Sequence, residues 1–367
     1  MKTDFFLFFF SLLFSILGLL LEDITAMGLQ WVAVLRYFPI LILYVKYFNR
    51  SFAAIAPILF AVFLFLLSAL GGRYNFIGMV VTMMVPISLY VYTRIRFSRR
   101  QISIMSIMMT CALLLYVVIV FSNHFDINPN QESFKVLILT VGIFFCKYTN
   151  GKTKNILNSP GLCFLLLLAL VVILYTECRN SLLVYILLVM AFVFRKKVAK
   201  MNIWGLIMIT VLALFILYPI SYCLLSDNLR NSSQNTEMLG QDVFSGRQYI
   251  WSYIFAQLTN SSSLYFGNID MEWWGKSMHN SALDIVVRYG VPTAIAVMLI
   301  IFYYFKKVCS MVNNKYKPLL LLIVVTMIWG INESGIFLGF SFFLFMPYCI
   351  LLSKNNEVRY IRVRSES

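Results

Sequence analysis

Residues 52–71 read Phe-Ala-Ala-Ile-Ala-Pro-Ile-Leu-Phe-Ala-Val-Phe-Leu-Phe-Leu-Leu-Ser-Ala-Leu-Gly, a run without a single ionisable side chain. A helix of about 20 residues rises about 30 Å, the depth of the hydrocarbon layer of a bilayer. The same pattern recurs along the chain. It gives twelve candidate helices at roughly 5–21, 27–47, 52–71, 75–93, 102–121, 133–149, 159–176, 180–194, 202–223, 282–305, 318–332 and 335–353. The composition agrees: 61% of the 367 residues are hydrophobic and 12% charged, against about 25% charged in a soluble domain. A water-soluble globular protein is thereby excluded. The apolar runs are continuous and do not alternate, so a membrane β-barrel is excluded as well. The expected class is an all-α polytopic membrane protein with about 12 transmembrane helices.

The net charge of +15 would suggest nucleic acid in a soluble protein, but here its placement reports orientation. With both termini in the cytoplasm, 22 of the 30 Lys and Arg fall on the inner side, in every alternate loop. The first helix follows Lys2 closely and has no small-residue cleavage site, so a span is expected there in place of a removable signal. Arg36 falls within the second span, near mid-membrane, where a charge must face a polar interior. The sixth helix has a short apolar stretch, Val136–Cys146, and is expected to let Lys135 and Lys147 snorkel to the two interfaces. The seven cysteines contain no C-x-x-C and mostly lie in apolar runs; they read as small core residues, with no metal site and no disulfide framework.

The expected organisation is residues 1–225 as nine transmembrane helices, 226–281 as an extracytoplasmic loop, 282–353 as three more helices, and 354–367 as a cytoplasmic tail. The loop is long and polar, and within it Ser245-Gly246-Arg247-Gln248-Tyr249-Ile250-Trp251 reads as a helix start. Ser245 and Gln248 have capping-box spacing. Ile250, Trp251, Ile254, Phe255 and Leu258 then form one stripe, which predicts an amphipathic helix near 246–258 on the membrane face with Trp251 at headgroup level. Arg247 is out of place in a first turn, where free N–H groups and the helix dipole favour an anion. A bound phosphate resolves that conflict, and so does a pair with Asp242 or simple solvation.

His279 stands where the loop enters the tenth helix, placed to take a proton from an alcohol; a structural role is the plainer alternative. His124, the other histidine, has no neighbours of chemical interest. Arg288 lies four residues after Asp284 on one helical face, the spacing of an ordinary ion pair. Arg179 sits in a hairpin at the rim of the bundle, where Glu177 is an available partner.

His279-Asn280, nine residues, then Gly290-Val291-Pro292-Thr293 fits the H-[NSQ]-x9-G-x-x-[GTY] pattern of the bacterial O-antigen ligases and Wzy-type O-antigen polymerases. Arg179 at the outer end of the eighth helix, then Ser245-Gly246-Arg247 with Trp251 in the large loop, then His279 resembles that superfamily in order and context. Cys178 departs from it, since Ser or Thr often precedes the arginine there. The resemblance implies a GT-C-like fold in the bacterial inner membrane and lipopolysaccharide biosynthesis as the role. It also implies a metal-independent, inverting glycosyl transfer at the periplasmic face, with no cofactor. The donor would be an undecaprenyl-pyrophosphate-linked oligosaccharide. The acceptor would be another lipid-linked repeat unit in a polymerase or lipid A–core in a ligase. The S-G-R-x-x-x-W segment and the compact loop favour the polymerase. A Wzz-type chain-length regulator and a flippase would be partners, alongside membrane lipid and without nucleic acid. On this resemblance His279, Arg247 and Arg179 are the expected catalytic set, the arginines holding the pyrophosphate; Arg288, Asn280, Trp251 and Ser245 are expected to bind substrate. A glycolipid flippase or other transporter is the alternative from another class, and the clustering of polar residues at one outer site speaks against it.

Overall fold

The computed structural model describes residues 2–21, 34–72, 76–122, 129–149, 159–194, 203–231, 237–238, 241–242, 247–271, 278–314, 316–337 and 340–353. Among them, helices stand in all twelve apolar runs: α1 (Lys2–Leu21), α2 (Tyr37–Tyr47), α3 (Phe52–Gly71), α4 (Phe76–Tyr92), α5 (Arg99–Ser122), α6 (Pro129–Thr149), α7 (Pro160–Tyr175), α8 (Arg179–Val193), α9 (Trp204–Asn231), then α12 (Ser281–Met311), α13 (Leu320–Asn332) and α14 (Ser341–Ser353, with a turn at Met346). Between α9 and α12 come a hairpin of two-residue strands, β1 (Glu237–Met238) and β2 (Gln241–Asp242), and two short helices, α10 (Arg247–Gln257) and α11 (Ser261–Phe266).

Five helices contain segments long and apolar enough to cross a bilayer: Thr3–Leu20, Phe52–Gly71, Arg99–Ser122, Trp204–Ser226 and Ser281–Met311. The chain is a helical membrane protein. Its perimeter carries side chains that a soluble protein would not display together, such as Val45 at 74%, Leu70 at 72% and Phe52 at 71% exposure. The interior holds tyrosines, tryptophans and a few ionisable groups.

One sequence expectation is corrected inside the bundle, and another gains its contacts. Lys135 does not snorkel: α6 starts at Pro129, so Lys135 lies well inside it, is 0% exposed, and pairs with Glu132 one turn earlier (Nζ–Oε1 3.4 Å). Its ammonium also lies 5.6 Å from the Tyr116 ring centroid. Lys147, by contrast, is exposed. Arg36 is buried just before α2, with its guanidinium 4.6 Å from the Tyr37 ring centroid and Nη2 donating to Tyr37 Oη at 2.8 Å. The ring face and hydroxyl of Tyr37 supply polar surroundings that a buried charge requires.

α12 is broken at Gly290 (φ 82°, ψ 168°). The break is the seat of a crossing: a Cβ on Gly290 would collide with the Tyr265 carbonyl, and one on Gly267 would lie 2.6 Å from the Tyr289 and Gly290 nitrogens. The interrupted helix leaves the Val287 carbonyl free to accept from Ile269 N–H at 3.2 Å, and Asn268 Nδ2 donates to Gly71 O at 2.7 Å. Gly290 thus serves backbone approach, which only a residue without Cβ permits. The crossing fastens the α10–α11 segment to α3 and α12.

Candidate functional site

Three elements end at one place on the bundle: the C-terminus of α13 and the N-termini of α10 and α12. The last carbonyls of any helix lack intrahelical partners. Here asparagines supply them: Asn180 Nδ2 donates to Trp329 O and Asn280 Nδ2 to Ile331 O, both at 3.0 Å. Asn280 also caps α12, its Oδ1 accepting from the Ala282 and Leu283 amides at 2.9 Å, and it donates to Phe215 O at 3.0 Å. Ser281 Oγ donates to Glu333 O (2.7 Å) and accepts from Ile336 N (3.1 Å). Glu333 is therefore held by its backbone at the point where α13 stops.

The Glu333 carboxylate is 2% exposed and gathers three side chains from distant parts of the sequence. Its Oε1 accepts from Arg247 Nη2 at 2.9 Å and from Asn130 Nδ2 at 2.8 Å, and its Oε2 lies 3.2 Å from His279 Nδ1. Since both partners of Oε1 are donors, the group acts as an acceptor throughout. A carboxylate paired with Arg247 accepts at Oε2 as well, an arrangement that favours the neutral His279 tautomer with its proton on Nδ1 and Nε2 as acceptor. Arg247 and His279 retain 19% and 18% side-chain exposure, so they form the mouth of the site over a buried acid.

His279 reaches this position through a left-handed backbone (φ 52°), which costs a residue with a Cβ about 1–2 kcal/mol. Its neighbours hold it there: Trp251 Nε1 donates to Met278 O at 2.9 Å on one side, and Asn280 is locked on the other. Trp251 is 0% exposed, packed edge-on against Tyr222 and Tyr218 with ring centroids 5.0 and 5.9 Å away. This corrects the headgroup placement: the stripe of α10 faces α9 and the start of α12, where Ile250, Trp251 and Ile254 join Cys223, Leu283 and Val287 in a separate apolar cluster. Trp251, expected among the substrate-binding residues, is buried, and so is Asn280, whose amide is fully engaged with protein groups. Both position His279.

A second line of contacts leads from Glu333 toward Arg179. Asn130 Oδ1 accepts from Cys178 Sγ (3.1 Å), Cys178 Sγ also contacts Ser181 Oγ (3.2 Å), and Ser181 Oγ meets Ser133 Oγ (2.6 Å) and Trp329 Nε1 (3.2 Å). Phe134 stacks on Trp329 at 3.8 Å. Arg179, exposed in the first turn of α8, sits between Cys178 and Asn180, both tied to this network, so it belongs to the same end of the bundle.

Arg288 is engaged along its own helix, Nε to Asp284 Oδ1 at 2.9 Å, the ion pair its spacing predicts. Ser245 and His124 lie outside the described residues. Arg247 pairs with Glu333, 86 residues away, and the side chain of Asp242 lies outside the described residues. Glu333 and Asn130 are the site residues that sequence reasoning missed. The available signal was an acid in the gap between the last two apolar runs, on the same side as Arg247 and His279.

No family model, no curated protein and no solved structure matches this chain.

Proposed function

We propose that the chain is a surface-polysaccharide polymerase of the O-antigen kind, an inverting glycosyltransferase that draws on a polyprenyl-pyrophosphate glycan. The observation that carries this reading is the convergence of Arg247 and His279 on the buried Glu333 carboxylate. In this reading the acceptor hydroxyl gives its proton to His279 Nε2 as its oxygen attacks the anomeric carbon. The bond from that carbon to the pyrophosphate oxygen breaks, and its electron pair leaves on the pyrophosphate. Glu333 keeps the imidazole in the accepting tautomer, as carboxylate partners of catalytic histidines do. Arg247 spends one Nη2 donor on Glu333, and a guanidinium has five N–H donors, so it holds phosphate oxygens with the remainder. Arg179, exposed at the same end, joins that clamp. Both termini and the basic loops lie in the cytoplasm of the inner membrane, the site faces the periplasm, and twelve helices cross in a GT-C-like arrangement.

Deleting the gene and examining lipopolysaccharide tests the reading. A core bearing a single repeat unit is the expected outcome. A bare core with intact lipid-linked polymer assigns a ligase, the same chemistry with lipid A–core as acceptor. Unchanged surface polysaccharide overturns both.

A further inference from the structure

A second cluster of charge lies at the far end of α12. Lys307 is 26 residues on from Ser281, about 39 Å of rise at about 1.5 Å per residue across the break at Gly290, and α12 packs against α4, which Arg94 follows. The Arg94 guanidinium lies 5.3 Å from the Tyr90 ring centroid, and Lys307 Nζ lies 5.7 and 5.9 Å from those of Tyr304 and Tyr303. These rings are fixed: Tyr90 Oη donates to Tyr47 O at 2.6 Å and Tyr304 Oη to Ala53 O at 2.9 Å. Both cations are half-buried, and their rings are neighbours: Tyr44 packs on Tyr90 with centroids 5.5 Å apart and donates to Ala54 O, the residue next to the Ala53 acceptor of Tyr304.

Like charges at a helix-bundle end ordinarily spread into water. Here they are drawn together among aromatic faces, and Arg94 Nε is buried with no hydrogen-bond partner. Asp4, the acid whose contacts are seen at this end, is already engaged by Lys46 and Tyr47. An anion with several acceptor oxygens satisfies the buried N–H and relieves the repulsion, the Arg as a fork and the Lys as a point charge. A row of exposed apolar residues on α12 leads up to the pair, Ile295, Leu299 and Tyr303 at four-residue spacing with 46%, 61% and 43% exposure. An acyl chain has use for that row and a free anion has none.

We propose that Arg94 and Lys307 bind the phosphate of an anionic phospholipid, with an acyl chain lying along Ile295, Leu299 and Tyr303. The assignment of this lipid to the cytoplasmic leaflet rests on the orientation proposed above; the site itself does not depend on the glycan chemistry.

The test uses the purified full chain in nanodiscs of phosphatidylcholine with a minor share of phosphatidylglycerol, read by native mass spectrometry of retained lipid. The expected preference for phosphatidylglycerol is about tenfold, the equivalent of about 1.4 kcal/mol. It should fall to near parity in the Arg94→Gln/Lys307→Gln double variant, stand between in Arg94→Lys, and be unchanged in Lys306→Gln, an exposed neighbour. Thermal unfolding supplies the second measurement: phosphatidylglycerol should raise the wild-type midpoint and leave the double variant's unmoved. Equal retention by wild type and double variant overturns the proposal. So does displacement of the lipid by millimolar inorganic phosphate, which would make this a free-anion site.

Discussion

Glu333 and Glu132 are equally buried, each 2% exposed, and their surroundings differ in every other respect. Glu132 meets Lys135 three residues along the same helix, and that lysine is sealed at 0% exposure beneath the Tyr116 ring. Glu333 meets Arg247, His279 and Asn130, which lie 86, 54 and 203 residues away, and two of these reach the surface. The Glu132–Lys135 pair lies within one helix and is closed to solvent on both sides. A carboxylate assembled from three chain segments, with its partners open to solvent, holds groups ready for something outside. On the proposed function, what separates Glu333 from Glu132 is the exposure of its partners and not its burial.

The sharpest way to break this comparison is to remove each acid's charge in turn. Glu333→Gln should cut glycan transfer by on the order of 10²–10⁴-fold, the range of a positioned acid–base group, because His279 loses its orienting acceptor. Glu132→Gln should leave transfer per folded molecule within about twofold, yet lower unfolding stability by about 3–5 kcal/mol, the cost of stranding one member of a buried pair. Polymer assays and denaturation on the same preparations decide it; similar activity losses in both would erase the distinction.

A second experiment separates the two groups at the mouth of the site. His279→Ala should retain affinity for the polyprenyl-pyrophosphate glycan while making little polymer, whereas Arg247→Ala should lose affinity as well. Arg247→Lys should recover part, since a point charge replaces a fork. Full polymer from Arg247→Ala would remove the phosphate role.

Smaller effects sharpen the picture. Asn130→Ala takes away one of the two donors to Glu333 Oε1 and should cost about 1.5–3 kcal/mol, the worth of a hydrogen bond to a charged group, read as lower stability with transfer weakened only modestly. Replacing the other pair whole, Glu132→Leu with Lys135→Met, should be neutral or stabilising, because an apolar pair of similar volume avoids the desolvation penalty. A loss of transfer there would give the closed pair a role in the chemistry.

The helices were legible because apolar runs of bilayer length have few alternative structures, and α3 occupies 52–71 as its run predicts. Arg247 and His279 were legible by residue type and position. Glu333 was not: it stands in Gly330-Ile331-Asn332-Glu333-Ser334-Gly335, and no spacing connects it to partners so far along the chain. The stripe of α10 was read correctly and its neighbour wrongly, since Ile250, Trp251 and Ile254 fit a lipid surface and a protein groove equally well. Lys135 misled for a related reason. Its position in the sequence marks distance from a helix end, while its direction was decided by Glu132 and Tyr116.

The location of Glu333 also imposes an order of events on biogenesis. Translation proceeds at about 5–20 residues per second, so Arg247 emerges roughly 4–17 s before the acid 86 residues downstream that will hold it. During that interval α10 and the entry to α12 must wait as a half-built mouth, and the insertion of α13 is the step that closes it. Ribosome-stalled chains ending before and after residue 333 would therefore differ in one late event, the arrival of a single side chain from the next-to-last hydrophobic segment.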